Sequence, residues 1–379
     1  MLTLAPTQLT EDERALRSQV REFLAQRLPE GGYEPGLGPA AAFDREFSRA
    51  LGARGWLGMS LPVEYGGGGR SAVERFVVVE QLLAAGAPVG FHWVADRQSG
   101  PGIARFGTAE QKARFLPGIC RGELCFAIGM SEPDAGSDLA ALRTRAVGVT
   151  GGWRLSGTKI WTSGAAHCDW LIVLCRTSDD GYAGLTQLLV DRRASGVTVT
   201  PIRFIDGTQD FCEVTFDSVF VPAELVLGEV GGGWAQNTAE LALERGGPDR
   251  WLSTLPLLRA WIGSGRCDRD DEAVRRDLGE VGARLWALRG MSLSIARAVD
   301  AGASPTVEAA LVKEMGTGLE QHIAALIADH TGHVPDPNSS DRFERLLAKA
   351  QLTAPAFTIR GGTDEVLRGV VAKGLRRGR

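Results

Sequence analysis

The sequence predicts an α+β fold in which helices and strands are segregated along the chain. Three observations predict it. Helical periodicity fills the first third, short β-branched runs fill the middle, and helical periodicity returns for the rest. Runs of one element type argue for separate layers rather than alternating βαβ units. A chain of 379 residues also exceeds one ordinary core. We therefore expect an N-terminal helical domain over 1–122, a middle β domain over 123–229, and a C-terminal helical bundle over 230–379.

The elements follow in order. Thr10-Glu11-Asp12-Glu13 is a capping signal, with Leu16, Val20, Phe23 and Leu24 at helical spacing behind it. Gly31 to Pro39 reads as a loop, 42–54 as a second helix, and 61–69 as a loop without regular structure. Helices are expected over 73–84 and 108–116. From Leu124 the pattern changes. Leu171–Cys175, Thr186–Val190 and Val197–Thr200 are short, apolar or β-branched, and bounded by turns, so they read as strands. Ser178-Asp179-Asp180-Gly181 supplies a turn between the first two. The β region is expected to end near Val230, before Gly231-Gly232-Gly233. Helices then follow over 234–245, 249–264, 270–300, 305–330 and 341–353.

Composition excludes several classes. The net charge of −4 gives no general attraction to nucleic acid or anionic membranes. No uncharged apolar run reaches the roughly 18 residues of a membrane helix, and Met1 to Thr10 has no secretory pattern. The six cysteines make no CxxC pair. Asp329, His330 and His333 match no standard metal site, so no metal is expected. Reduced thiols in a cytoplasm are the expectation. No G-x-G-x-x-G stands between a strand and a helix, which disfavours a nicotinamide-binding domain.

Two segments carry the chemistry. Met130-Ser131-Glu132-Pro133-Asp134-Ala135-Gly136-Ser137-Asp138 is a turn-rich loop with hydroxyls and backbone N–H groups. Gly157-Thr158-Lys159-Ile160-Trp161-Thr162-Ser163-Gly164 ends a strand on an indole and two hydroxyls. Together they suit a flat aromatic ligand with polar edges, such as a flavin. They also resemble the two flavin-contacting signatures of the acyl-CoA dehydrogenase family. Three further segments share the resemblance in order: Arg105–Lys112, Val221-Pro222-Ala223 with Leu227-Gly228, and Gly361-Gly362-Thr363-Asp364-Glu365. It spans nearly the whole chain and implies a helical N-terminal domain, a middle β-barrel and a C-terminal four-helix bundle.

The resemblance implies FAD as cofactor and an acyl-CoA thioester as substrate. The implied reaction is α,β-dehydrogenation to the trans-2-enoyl thioester, with a Glu removing the α-proton and flavin N5 accepting the β-hydride. It places Ile128, Met130 and Ser131 at the isoalloxazine edge, Ser137 near the phosphates or the thioester ligand, and Trp161, Thr162 and Ser163 against the ring. Gly362 and Thr363 belong to the loop that returns to the flavin. Plainer readings stand beside these: Trp161 as a core aromatic, and Glu132 as a residue that fixes its loop.

Many members carry the base immediately before the Gly-Thr of the C-terminal loop. Here that position is Gly361, whose N–H is left to bond the thioester carbonyl. Other members carry it in a Leu-x-Leu-Glu-Arg segment, and Leu241-Ala242-Leu243-Glu244-Arg245 matches it. Glu244 is thus the implied base and Arg245 the implied substrate-side arginine. Glu365 is a fallback, and an ordinary exposed helix pair is the plain alternative for Glu244 and Arg245. The family's Arg-x-x-Phe-Gly and Gln-x-x-Gly-Gly segments, which reach a neighbour's FAD, are missing at 261–266 and 328–334. Either Arg266 or another group substitutes, or a related subunit supplies the contacts, as in actinobacterial α2β2 steroid side-chain enzymes. A homotetramer or such a heterotetramer is expected, with an electron-transferring flavoprotein as acceptor. A carrier-protein-linked dehydrogenase, a non-catalytic partner subunit, and a flavin oxidase or monooxygenase are the competing readings.

Overall fold

The structure is a computed structural model that describes residues 4–29, 32–39 and 42–377, with backbone only at 239–244 and 377. Its elements run helical, then β, then helical, as expected. The N-terminal helices are α1 (Glu11–Arg27), α2 (Arg45–Ala53), α3 (Ala72–Ala84), α4 (Gly90–Val94), α5 (Gly100–Phe106) and α6 (Ala109–Cys120). The strands are β1 (Phe126–Gly129), β2 (Arg145–Val149), β3 (Gly152–Ser163), β4 (Trp170–Arg176), β5 (Leu185–Asp191), β6 (Val197–Ile202), β7 (Phe211–Pro222) and β8 (Val226–Leu227). The C-terminal helices are α7 (Gly233–Glu244), α8 (Leu255–Gly263), α9 (Glu272–Asp300), α10 (Thr306–Thr331), α11 (Arg342–Phe357) and α12 (Asp364–Arg377).

The capping signal at Thr10 is a complete capping box. Its hydroxyl accepts from Glu13 N–H, and the Glu13 carboxylate accepts from Thr10 N–H. Ser71 with Glu74 and Thr108 with Gln111 repeat the motif at α3 and α6, so each helix starts where a hydroxyl satisfies its orphan donors.

Four expectations need correction. The second helix starts at Arg45 rather than 42, because the Asp44 carboxylate caps it and Phe43 bridges to Val89. The loop over 61–69 holds a 3-10 turn at Val63–Tyr65, closed on Gly66 at φ +85°. The expected helix over 249–264 is broken. A 3-10 turn at Pro248–Arg250 precedes α8, and Pro256 marks the new start. The last helix, α12, was not expected.

Two compact units emerge, each interrupted in sequence. One comprises 40–70 and 88–241. It holds an eight-stranded sheet in the order β6-β7-β3-β2-β4-β5-β8, with β1 pairing β4 in parallel. β4 and β5 are buried along almost their whole length, which is why they read as unbroken apolar runs. β3 and β7 alternate instead, each turning one face to the core formed by Leu155, Val214, Phe216 and Val219. The other unit comprises 1–39, 71–87 and 242–379. It packs α1 against α3, α3 against α9, and α10 against α9, α11 and α12. Leu319, Ile323 and Ile327 on α10 are fully buried at its centre.

Candidate active site

In the sheet unit, β1 delivers the chain to Met130 and Ser131, and β3 ends on Trp161, Thr162 and Ser163. The two segments are stitched together. Ile160 N–H donates to Ser131 C=O at 2.9 Å, and Lys159 Nζ donates to Met130 C=O at 2.9 Å. Ile128 and Met130 are half-buried, as are Ser131 and Ser163. The structure therefore ties the segment after β1 to the end of β3, while Ser137 lies exposed farther along the loop.

Glu132 fixes the loop. Its carboxylate accepts from Arg143 N–H at 2.6 Å, Thr144 N–H at 2.9 Å and Lys159 Nζ at 2.8 Å. Lys159 is wholly buried. Burial opposes ionisation of Glu132, but the adjacent ammonium and the Thr144 and Arg143 donors outweigh it and hold its pKa below the ordinary carboxylate value. Sequence reasoning missed Lys159. The chain has only five lysines, and two of them, Lys159 and Lys313, are fully buried.

Trp161 is not a core aromatic. Its indole is 52% exposed and its φ is +58°, in the left-handed region. The ladder to β7 slips between Lys159 and Thr162, so the residue sits in a bulge that re-aims its side chain outward. Phe204 flanks the indole, with ring centroids 6.3 Å apart, and Phe211 lies 5.2 Å from Phe204. Next to the exposed ring, the Thr162 hydroxyl is buried with no hydrogen-bond partner. Gly164 closes the segment at φ +69°, and a Cβ there would approach the Phe43 ring to 2.7 Å. An exposed aromatic face beside an unsatisfied buried hydroxyl fits a planar polar ring. These residues therefore suit an isoalloxazine.

In the helical unit, Gly361 and Gly362 take φ +70° and +97°, two left-handed residues in succession. Arg245 Nε donates to Gly361 C=O at 3.1 Å. A Cβ on Gly361 would meet the Arg250 guanidinium at 2.8 Å, so no side chain, and no carboxylate, fits this position without displacing that group. Arg360 runs back to Glu320 at 2.6 Å and Ser253 Oγ at 2.7 Å. Thr363 stands at the start of α12, its Oγ1 3.5 Å from Val366 N. Glu365 is exposed in the first turn of α12, and hydrogen bonds from its own N–H and from Thr363 keep its pKa low. That is a capping role. Glu244 ends α7, and its side chain lies outside the described residues.

The remaining candidates resolve plainly. Arg266 is paired with Asp341 at 2.7 Å. His330 stacks on Trp261 and meets Asp277 at 2.9 Å, while His333 meets Glu344 at 2.9 Å. Among the described residues no cluster of His, Cys, Asp or Glu could hold a metal, and no helix is long and apolar enough to cross a membrane. All six cysteines are buried free thiols, and burial pushes the Cys125 thiol up to about 12. That disfavours a thiolate nucleophile.

Three family descriptions match the chain: the acyl-CoA dehydrogenase N-terminal domain over residues 10–123, the middle domain over 127–219 and the C-terminal domain over 259–376. The Mycobacterium tuberculosis protein "Acyl-CoA dehydrogenase FadE29" is 31% identical over 377 residues, 96% of each chain. Among solved structures, "Tcur3481-Tcur3483 steroid ACAD" superposes with a TM-score of 0.86 at 32% identity, covering 98% of both chains. The ChsE4-ChsE5 complex from Mycobacterium tuberculosis superposes with a TM-score of 0.82 at 29% identity, covering 97% of each.

Proposed function

We infer the reaction from one premise: this chain belongs to the acyl-CoA dehydrogenase family, FAD-dependent oxidoreductases that act on acyl-CoA thioesters. We propose that it catalyses α,β-dehydrogenation of an acyl-CoA to the trans-2-enoyl thioester. The observation that carries the proposal is the junction of the segment after β1 with the end of β3, where Ser131 C=O accepts from Ile160 N–H and the exposed Trp161 and the unpartnered Thr162 hydroxyl follow.

In this reading Trp161 covers the ring of the flavin. The Thr162 and Ser163 hydroxyls, with the backbone at Ile128, Met130 and Ser131, bond its polar edge. Ser137 serves the phosphates or the thioester. FAD, when bound, supplies the acceptor for the β-hydride. Glu244 removes the α-proton, and shielding beneath an acyl chain raises its proton affinity toward that task. The Gly361 N–H bonds the thioester carbonyl and acidifies the α-carbon. Arg245 holds the Gly361 carbonyl, and Gly362 and Thr363 complete the loop.

The lack of any carboxylate at Gly361 supports placing the base at Glu244 rather than in the loop. Steroid side-chain or branched acyl groups are the proposed substrates, supported by the steroid enzyme among the similar structures. The proposed assembly is an α2β2 heterotetramer with a related subunit, supported by the ionic engagement of Arg266 and by the two-component complex among the similar structures. An electron-transferring flavoprotein is the proposed acceptor, and the buried thiols suit a reducing cytoplasm.

The test is anaerobic mixing of the FAD-loaded enzyme with steroid side-chain, branched and straight-chain acyl-CoA thioesters. Bleaching of the flavin absorbance with formation of the enoyl thioester is expected. A flavin that no thioester reduces would overturn the proposal.

A further inference from the structure

The Gly361-Gly362 turn is held by a group outside the set assigned above. Lys313, on α10, is fully buried. Its Nζ donates to Thr358 C=O at 2.8 Å and to Asp364 Oδ1 at 2.8 Å. One acceptor lies just before the glycine turn, and the other is the first residue of α12 just after it. A single ammonium thus clamps both ends of the segment 358–364, while Arg360 and Arg245 tie its interior. Such a clamp has a physical reason. Two adjacent left-handed glycines have the widest conformational freedom of any residue pair, and their peptide N–H groups point in a fixed direction only if the ends are fixed. A buried lysine is costly unless paired, and here the pairing goes to the two helix ends that bracket the glycine turn.

We propose that Lys313 is a positioning residue for the reaction. It orients the Gly361 N–H toward the thioester carbonyl through its hold on Thr358 and Asp364. This inference rests on the proposed role of Gly361. Its consequence is specific: loosening the clamp weakens carbonyl polarisation and slows proton removal, while acyl binding is nearly unchanged. A misplacement of about 1 Å at a reacting group costs on the order of 100-fold in rate.

The experiment uses the FAD-loaded enzyme with any subunit it requires. It compares wild type, Lys313→Met and Asp364→Asn. Three quantities are read: flavin content with thermal stability, kcat and KM, and the carbonyl stretching frequency of a bound enoyl thioester labelled at C1. Wild type should lower that frequency relative to the free ligand. Lys313→Met should keep its flavin, lose roughly 100-fold in kcat with little change in KM, and lose most of the frequency shift. Asp364→Asn strips the charge from one arm of the clamp, leaving a weaker neutral acceptor for Lys313, and should lose roughly 10-fold. It decides the matter alone if Lys313→Met fails to fold. Folded, flavin-loaded variants with wild-type kcat and frequency shift would overturn the inference. A wild-type enzyme that turns over without any carbonyl shift would remove the Gly361 contact, and this inference with it. A wild-type enzyme that no thioester reduces would instead sink the proposed function itself.

Discussion

At the residue scale, Glu132 serves structure and Glu244 is proposed for the chemistry. Glu132 sits in the conspicuous Ser-Glu-Pro turn, yet its carboxylate is consumed by Lys159 and two backbone N–H groups. Lys159→Met should leave a buried carboxylate without its counter-charge, a change that costs about 3–5 kcal/mol. Urea denaturation checks it, and a loss under about 1 kcal/mol would show the pair to be dispensable. The pH dependence has a definite sign. The folded pKa of Glu132 lies below its unfolded value of about 4.3, so its ionised form stabilises the fold above that pH. The contribution is lost as pH falls through the lower folded pKa, and wild type should shed stability on acidification over that interval. Glu244 is the opposite case, a residue proposed for the chemistry. Glu244→Gln should retain flavin and stability while abolishing flavin reduction by substrate, read by anaerobic rapid mixing. Near-normal turnover would remove Glu244 as the base. Glu244 could be named as a candidate because Leu-x-Leu-Glu-Arg is linear in the sequence. Lys159 and Lys313 could not, because their partners lie 27 and 51 residues away and only the fold brings them together.

At the element scale, β3 is bent where the proposed flavin contacts lie. A bulge at Trp161 breaks its pairing with β7 and places the indole at φ +58°. A non-glycine residue held there costs about 1–3 kcal/mol. Trp161→Gly should relieve that strain, while glycine's extra unfolded-state entropy offsets about 0.5–1 kcal/mol of the gain. The half-exposed indole contributes little core packing, so stability of the flavin-free protein should be equal or higher. Flavin binding, read by fluorescence titration, should weaken at least about 10-fold if the indole covers the ring, the worth of a single aromatic contact. A variant that loses stability but not flavin affinity would return Trp161 to a packing role. The same strand marks where sequence reading stops. β4 and β5 were legible because burial on both faces makes them continuous apolar runs. β1, β2, β7 and β8 were not assigned, since they are short or alternate with polar residues. The break before α8 was also missed. The expected helix over 249–264 ran through Pro256, whereas Pro248 and Pro256 each stand in the first turn of a separate element.

At the scale of the whole molecule, the local contacts of the helical unit bear on the proposed second subunit. In the helical unit, the segments that differ from the family pattern are already engaged in local contacts. Arg266 is bound to Asp341, which also caps α11. His333 is bound to Glu344, which raises the imidazole pKa, and His330 is held between Trp261 and Asp277. Diverting Arg266 to a flavin phosphate would forfeit its bond to Asp341, whereas a second subunit with an uncommitted arginine would meet no such competition. The chain expressed alone should therefore purify with little FAD, and co-expression with a related subunit should give a yellow complex of higher mass. Absorbance and mass in solution decide between them. Arg266→Ala sharpens the comparison. If Arg266 serves only the α8–α11 contact, flavin content of the complex should be unchanged, and the stability loss should stay within about 1 kcal/mol, as for a partly exposed ion pair. A yellow homotetramer from the single chain, bleached by Arg266→Ala, would show that this arginine leaves Asp341 for the cofactor and that no second subunit is needed.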